Sequence, residues 1–118
     1  MAAPNLRSPT LILGRTALAD TTETPTAVLS NVADSGQVLK VNALRLAAGS
    51  ALALVSVAVV RGGTSYYLQN TVQLAANTML IVLNKDEYLY LEEGDSIEVW
   101  HEAGSAGASV LLNYEEIS

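Results

Sequence analysis

Apolar and polar residues alternate with a period of two along most of this chain, and this alternation constrains the fold more than any other feature. A period of two places successive side chains on opposite faces of a strand, whereas an amphipathic helix has a period of 3.6. In residues 96–101 (SIEVWH), for example, Ile97 and Val99 alternate with polar neighbours. The pattern therefore predicts a protein built from β-strands.

Turn-forming residues interrupt this pattern at spacings of roughly 8–12 residues, which is typical of a sandwich, jelly roll or small barrel. Eight or nine short strands are expected, over residues 10–18, 27–30, 37–47, 52–61, 65–74, 78–83, 88–91, 96–101 and 108–114. We predict an all-β, single-domain antiparallel β-sandwich, or jelly-roll-like fold, over residues 10–118. Residues 1–9 show no periodicity, and we expect them to form an extended N-terminal arm.

Three of the expected strands have irregular features. In residues 37–47 the apolar positions change parity near Asn42, which requires a bulge or a stretch buried on both faces. Gly14, inside residues 10–18, suggests a bulge or a bend. Residues 52–61 are apolar at both parities, so we expect a central strand that is covered on both sides.

The composition indicates a folded protein that associates with other subunits. Of 118 residues, 50% are hydrophobic and only 15% are charged, which excludes intrinsic disorder. A chain of this size buries only about two-thirds of the surface that its unfolded form exposes. Some apolar surface is then left uncovered in a monomer, and we expect a homo-oligomer.

Several classes of function are disfavoured by the same composition. The chain has no cysteine, which excludes disulfide frameworks, thiol nucleophiles and Cys-based metal sites. A net charge of −6 argues against nucleic-acid binding, which depends on Lys and Arg. The most apolar stretch, residues 44–60, is too short and too interrupted to span a bilayer. We expect no nucleic-acid partner, no membrane partner and no cofactor.

The charge is divided unevenly along the chain. Residues 1–61 carry five basic and three acidic side chains, whereas residues 62–118 carry one basic and nine acidic side chains. Solvated turns and strand edges explain this distribution. The alternative is head-to-tail packing, in which the basic half of one copy meets the acidic half of the next.

The residues that could perform catalysis or hold a metal do not form a recognisable site. His101 is the only histidine, and no Gly-x-Ser-x-Gly motif accompanies it. The neighbouring acids fall in turns, without the alternating pattern of a calcium loop. We therefore expect no enzyme and no metal site. In the turn before residues 96–101, we expect Gly94 to supply a positive φ and the Asp95 carboxylate to accept backbone N–H groups.

Aromatic residues leave one binding function open. Tyr88 and Tyr90 share one strand face, and with Trp100 they form a candidate aromatic surface on which a sugar ring could stack. The alternative is that these residues fill the core or an interface. A glycan-binding, receptor-recognition module therefore stands as the alternative function.

Residues 88–97 (YLYLEEGDSI), the Val-rich strands and the terminal residues 113–118 (NYEEIS) carry a resemblance to a known group. They are similar to small all-β structural proteins of tailed-phage virions, particularly those of cyanophages and other marine phages. The resemblance covers roughly residues 37–118. It implies a repeated, non-enzymatic building block of the virion, with capsid, portal or neck proteins as partners. The resemblance implies that the protein lies at the head–tail neck or collar, or on the capsid exterior as a decoration protein.

The expected arm fits the same role. Pro4 and Pro9 stiffen residues 1–9, and an extended segment of this kind can lie across a neighbouring subunit. The candidate contact residues for such an interaction are Pro4, Leu6, Arg7 and Pro9.

Overall fold

The computed structural model describes Pro9 and residues 11–118. This part of the chain contains nine strands and no helix. The strands are β1 (Ile12–Asp20), β2 (Thr26–Ser30), β3 (Val38–Ala48), β4 (Ala53–Arg61), β5 (Thr64–Leu74), β6 (Met79–Leu83), β7 (Leu89–Leu91), β8 (Ser96–His101) and β9 (Ala108–Ile117). The largest shift of a single strand end from the sequence prediction is in β9, which continues three residues further because both of its neighbours pair with it up to Ile117.

The strands form two antiparallel sheets. Sheet I has the order β1-β9-β3-β6, and β7 pairs with the half of β3 that β6 leaves free. Sheet II has the order β2-β8-β4-β5. Every strand pairing within the described residues is antiparallel. The prediction of an all-β sandwich is confirmed.

The core lies between the two sheets and follows the alternation of the sequence. In β3, Leu44 and Leu46 are fully buried on either side of the exposed Arg45. In β8, Ile97 and Val99 face the core. The largest fully buried side chains are Leu44, Leu46, Leu91, Ile97, Leu112, Val41, Val55, Val57 and Val99. Because these residues point inward, their neighbours in sequence form the outer faces of the sheets.

Two expectations about sheet I have different outcomes. The pairing of β3 with β9 shifts register between Val41 and Ala43, so the bulge predicted at Asn42 is confirmed. The Asn42 side-chain amide donates a hydrogen bond to Glu115 Oε1 at 2.8 Å. The bulge suggested at Gly14 is wrong, because β1 pairs with β9 without interruption. Gly14 lies on an edge strand with open space beside its Cα, and there a glycine needs no distortion of the ladder.

The predicted central position of β4 is confirmed, whereas the described residues provide no second layer over its outer face. β4 lies between β8 and β5, and Val55 and Val57 face the core with no exposure. On the opposite face of β4, Ser56 is 2% exposed and Ala58 is fully buried. Both outer-face residues are small, and each lies opposite an aromatic residue on a neighbouring strand: Ser56 pairs with Trp100 and Ala58 with Tyr67.

Strand β5 forms an edge of sheet II and is irregular at two points. Its pairing with β4 shifts between Val55 and Val57 and again between Val57 and Ala58. Thr71 lies in the first irregularity and has a φ of 51°, which is unusual for a β-branched residue. The buried Ser56 hydroxyl accepts the Thr71 N–H at 2.8 Å, so the backbone donor released by the bulge has a partner.

Candidate functional site

The turn between β7 and β8 is built around a buried carboxylate. Gly94 has a φ of 90°, and Asp95 is only 2% exposed. Asp95 Oδ2 accepts the Glu92 N–H at 2.8 Å and thereby closes the turn. The backbone of the same turn pairs with Asn31, whose N–H donates to the Asp95 carbonyl at 2.8 Å. The turn is therefore fixed both by its own side chain and by the segment that follows β2.

Arg61, at the end of β4, completes this cluster. Its Nε and Nη2 atoms donate to the two Asp95 carboxylate oxygens at 2.9 and 2.6 Å, a bidentate geometry. Nη2 also lies 2.6 Å from Glu92 Oε2. The hydrogen bond from Arg61 holds the pKa of Asp95 below its ordinary value against the effect of burial. The same pair raises the pKa of Arg61, so both groups are charged at neutral pH.

An open groove of about 440 Å³ adjoins this cluster. Its lining is mostly apolar and comes from both sheets, namely Val59, Arg61, Tyr66, Leu89 and Tyr90. Arg61 binds Asp95 and Glu92. The tyrosines and the apolar side chains therefore remain to contact a molecule that enters the groove. The lining contains no histidine, serine or carboxylate, and the groove is open enough to accept a side chain or an extended segment.

The structure divides the predicted aromatic surface between the two sheets. Tyr88 and Tyr90 lie together, with ring centroids 5.5 Å apart and planes at 80°. Lys40 Nζ lies 4.5 Å from the centroid of the Tyr88 ring. Trp100 belongs to sheet II, where it meets Tyr67 edge to face at 5.8 Å. Since the tyrosine pair is edge to face and Lys40 covers one ring, the pair does not form a flat platform.

His101 has a local structural role. Its Nδ1 lies 2.8 Å from Thr21 Oγ1, and that oxygen also accepts the Ala108 N–H at 2.8 Å. These contacts join the end of β8 to the start of β9 and to the loop after β1. Within the described residues, no group of three or more His, Asp or Glu side chains could hold a metal ion.

The candidate contact residues of the arm are mostly outside the described part of the chain. Pro4, Leu6 and Arg7 lie there, while Pro9 is described and is half-buried. The chain then enters β1 through Leu11, whose N–H and C=O both bond to the backbone of Ser118 at 2.9 Å. The start of β1 and the end of β9 are therefore adjacent.

Sequence reasoning did not identify the outer face of sheet I as a candidate surface. Leu18, Ile81 and Met79 are 74%, 56% and 49% exposed. A shallow groove of about 210 Å³ lies on this face, beside Leu18, Arg45 and Leu111. The available signal was the apolar character of residues 79–83 at both parities, but assigning the outward parity required knowledge of the strand pairing.

Comparison with known proteins supports the fold. No family model matches the chain, and no curated protein sequence matches it. Among solved structures, it is similar to a chain from work titled "Bacillus endospore appendages form a novel family of disulfide-linked pili", with a TM-score of 0.53 and 12% sequence identity. The match covers 99% of this chain and 96% of that chain. The described part of the chain has no helix that is long and apolar enough to cross a membrane.

Proposed function

We propose that this protein is a non-enzymatic structural subunit that functions in many copies within a larger assembly. The observation that carries this proposal is the apolar outer face of sheet I, where Leu18, Ile81 and Met79 remain largely exposed in the single chain. Leu18 lies at one edge of this face and Ile81 and Met79 at the other, with Leu111 and Arg45 between them. Large exposed apolar patches on soluble domains mark interaction surfaces. Covering this one with another subunit removes apolar area from water, which is the main favourable term in association.

Two further features support assembly. The similar chain belongs to Bacillus endospore appendages that form disulfide-linked pili, and the match extends over nearly the full length of both chains. Two titratable groups of the described residues also take part in structural contacts: the Asp95 carboxylate accepts hydrogen bonds from Arg61, and His101 Nδ1 lies 2.8 Å from Thr21 Oγ1.

The setting that we propose is a tailed-phage virion, at the neck or collar or on the capsid exterior. It rests on the sequence resemblance over residues 37–118, especially the Glu92–Asp95 turn and the terminal residues 113–118. In this setting the subunit stabilises the particle through contacts with its own copies and with capsid, portal or neck proteins. Each contact can be weak, because repetition in a symmetric array multiplies its effect.

The test is the mass of the purified chain as a function of concentration. We expect light scattering and sedimentation to show association of residues 1–118, and co-sedimentation with particles of the phage that encodes the chain. A variant that lacks residues 1–9 is compared with residues 1–118. Weaker association of this variant with the particles would assign a contact role to the arm. A full-length chain that stays a single copy at all concentrations and binds no particle would contradict the proposal.

The alternative, a glycan-binding module, has one observation in its favour. Tyr88 and Tyr90 are 46% and 39% exposed, and Tyr90 also borders the larger groove. This alternative predicts hits on a glycan array that are lost in Tyr90→Ala and retained in Tyr67→Ala, a matched change on the other sheet. An array without hits would reject it.

A further inference from the structure

A single row of side chains crosses the outer face of sheet I. Leu18 of β1 pairs with Leu111 of β9, Leu111 pairs with Arg45 of β3, and Arg45 pairs with Ile81 of β6. The row therefore has one cation among three apolar side chains. Four neighbouring strands span about 14 Å, because adjacent strands are about 4.8 Å apart.

Arg45 has no ion-pair or hydrogen-bond partner among residues 9 and 11–118. It is exposed, while its strand neighbours Leu44 and Leu46 are buried in the core, so its side chain points away from the sandwich. The next outward-facing row contains Met79, Ala47, Ser109 and Asp20, so it extends the apolar surface on the β6 side and is polar at β1, where Ser109 Oγ donates to Asp20 Oδ1 at 3.2 Å. This cation is therefore placed within an apolar face and is free to pair with a group from outside the chain.

A corresponding row crosses the outer face of sheet II. Ala27 of β2 pairs with Glu98 of β8, Glu98 pairs with Ala58 of β4, and Ala58 pairs with Tyr67 of β5. Glu98 is half-buried, and in the described part of the chain no cation pairs with it. The Tyr67–Trp100 contact extends the apolar surface beside this row. The second face thus has one anion among apolar side chains, also across four strands.

We propose that copies of this chain stack face to face, with sheet I of one copy on sheet II of the next, and with Arg45 paired to Glu98 of the adjacent copy. This proposal rests on the proposed structural function and specifies its contact. Each row spans four strands, and the two rows have opposite charge. One contact therefore buries both apolar surfaces and pairs Arg45 with Glu98. An ion left unpaired beneath a second copy would carry a desolvation cost, which selects this pairing over stacking of two identical faces.

The contact is heterologous, because each copy uses a different surface on each side. Such contacts close into rings when the rotation between copies permits, and otherwise they grow into open stacks. Every interior copy then has both outer faces covered. Arg15 and Arg61 of the basic half pair with Glu116, Glu92 and Asp95 of the acidic half within the same chain, so the proposed contact concerns Arg45 and Glu98 alone.

Charge reversal tests the proposal. In sedimentation experiments on the full chain, Arg45→Glu and Glu98→Arg should each weaken association at least about tenfold, because each places like charges opposite one another. The combined variant restores an opposite pair and should return association to within about threefold of the original chain. Lys85→Glu and Glu87→Lys make the same charge changes in the turn before β7 and serve as matched controls that leave association unchanged.

The outcomes separate this proposal from the one on which it rests. If the unmodified chain assembles and the reversals have no effect, the face-to-face contact is wrong while the structural function stands. If each single reversal weakens association and the combined variant does not recover, the face of sheet I has a different occupant, such as the arm, and the pairing is overturned. Circular dichroism melting of dilute samples verifies that each variant is folded.

Discussion

The two arginines Arg61 and Arg45 differ in where they find a partner. Arg61 is 53% exposed at its side chain, yet two of its nitrogen atoms bind the buried Asp95 carboxylate in the same chain. Arg45 lies on a flat sheet face and has no partner within the described residues. The first residue stabilises the fold, and the second is available to a neighbour. Both arginines are exposed, and the position of the opposite charge decides whether such a residue has a partner in its own chain.

The largest expected effect comes from the internal pair. Asp95→Ala removes the acceptor of the Glu92 N–H and of two Arg61 hydrogen bonds, so we expect the free energy of unfolding to fall by about 2 kcal/mol. Urea unfolding followed by Trp100 fluorescence measures this loss. Asp86→Ala, in the exposed turn before β7, is the control and should change stability by less than about 0.5 kcal/mol. Equal effects at both positions would mean that the Asp95 cluster contributes nothing specific.

The second prediction concerns the coupling between the two partners. Arg61→Ala alone should destabilise the chain, since it leaves the buried Asp95 carboxylate without its cation. In the Asp95→Ala background the same change should have a much smaller effect, because the interaction is already absent. A cycle of four unfolding curves measures the difference. Additive effects would show that Arg61 and Asp95 act independently.

The third prediction is a pH dependence of stability. The pKa of Asp95 is lowered in the folded state, so its contribution is fully present above the ordinary aspartate pKa of about 3.9. It is lost progressively as pH falls below that value toward the folded-state pKa. We expect unfolding curves to show a steeper loss of stability below about pH 4 in the original chain than in Asp95→Asn. Parallel pH profiles for the two proteins would contradict the Asp95 assignment.

The smallest expected effect completes the comparison. Arg45→Ala should leave the unfolding free energy of the dilute chain within about 0.5 kcal/mol of the original, because Arg45 binds nothing in its own chain. The same variant should weaken association at high concentration. A large loss of stability in dilute solution would place Arg45 in the fold and remove the contrast with Arg61.

All nine strands of the described residues were predicted from the sequence, with ends displaced by up to three residues. The change of parity near Asn42 indicated a bulge, because a pleated strand cannot place Val41 and Leu44 on the same face without one. The apolar character of both parities in β4 indicated its central position. The bulge expected at Gly14 is absent, since a glycine on an edge strand can be tolerated without any irregularity. These inferences depend on local pattern, which the sequence displays directly.

The candidate surfaces could be predicted only in part. The turn role of Asp95 depends on neighbours in sequence, and it could be inferred from Gly94 and Asp95 alone. Its pairing with Arg61 joins residues 34 positions apart, so it depends on which strands are adjacent in sheet II. The rows that contain Arg45 and Glu98 each combine four strands in a non-sequential order. Period-two alternation gives the face of each residue within a strand but not its cross-strand neighbours.

The two irregularities in β5 have a consequence for a protein that is crowded among its own copies. A straight, regular edge strand presents a continuous row of unpaired backbone N–H and C=O groups. A strand of another molecule can pair with this row, which is how fibrous aggregates begin. The pairing of β5 with β4 is irregular on both sides of Val57, and the Thr71 N–H donates to Ser56 Oγ. These irregularities bend β5, so its free edge is a poorer template for a foreign strand than a regular edge would be.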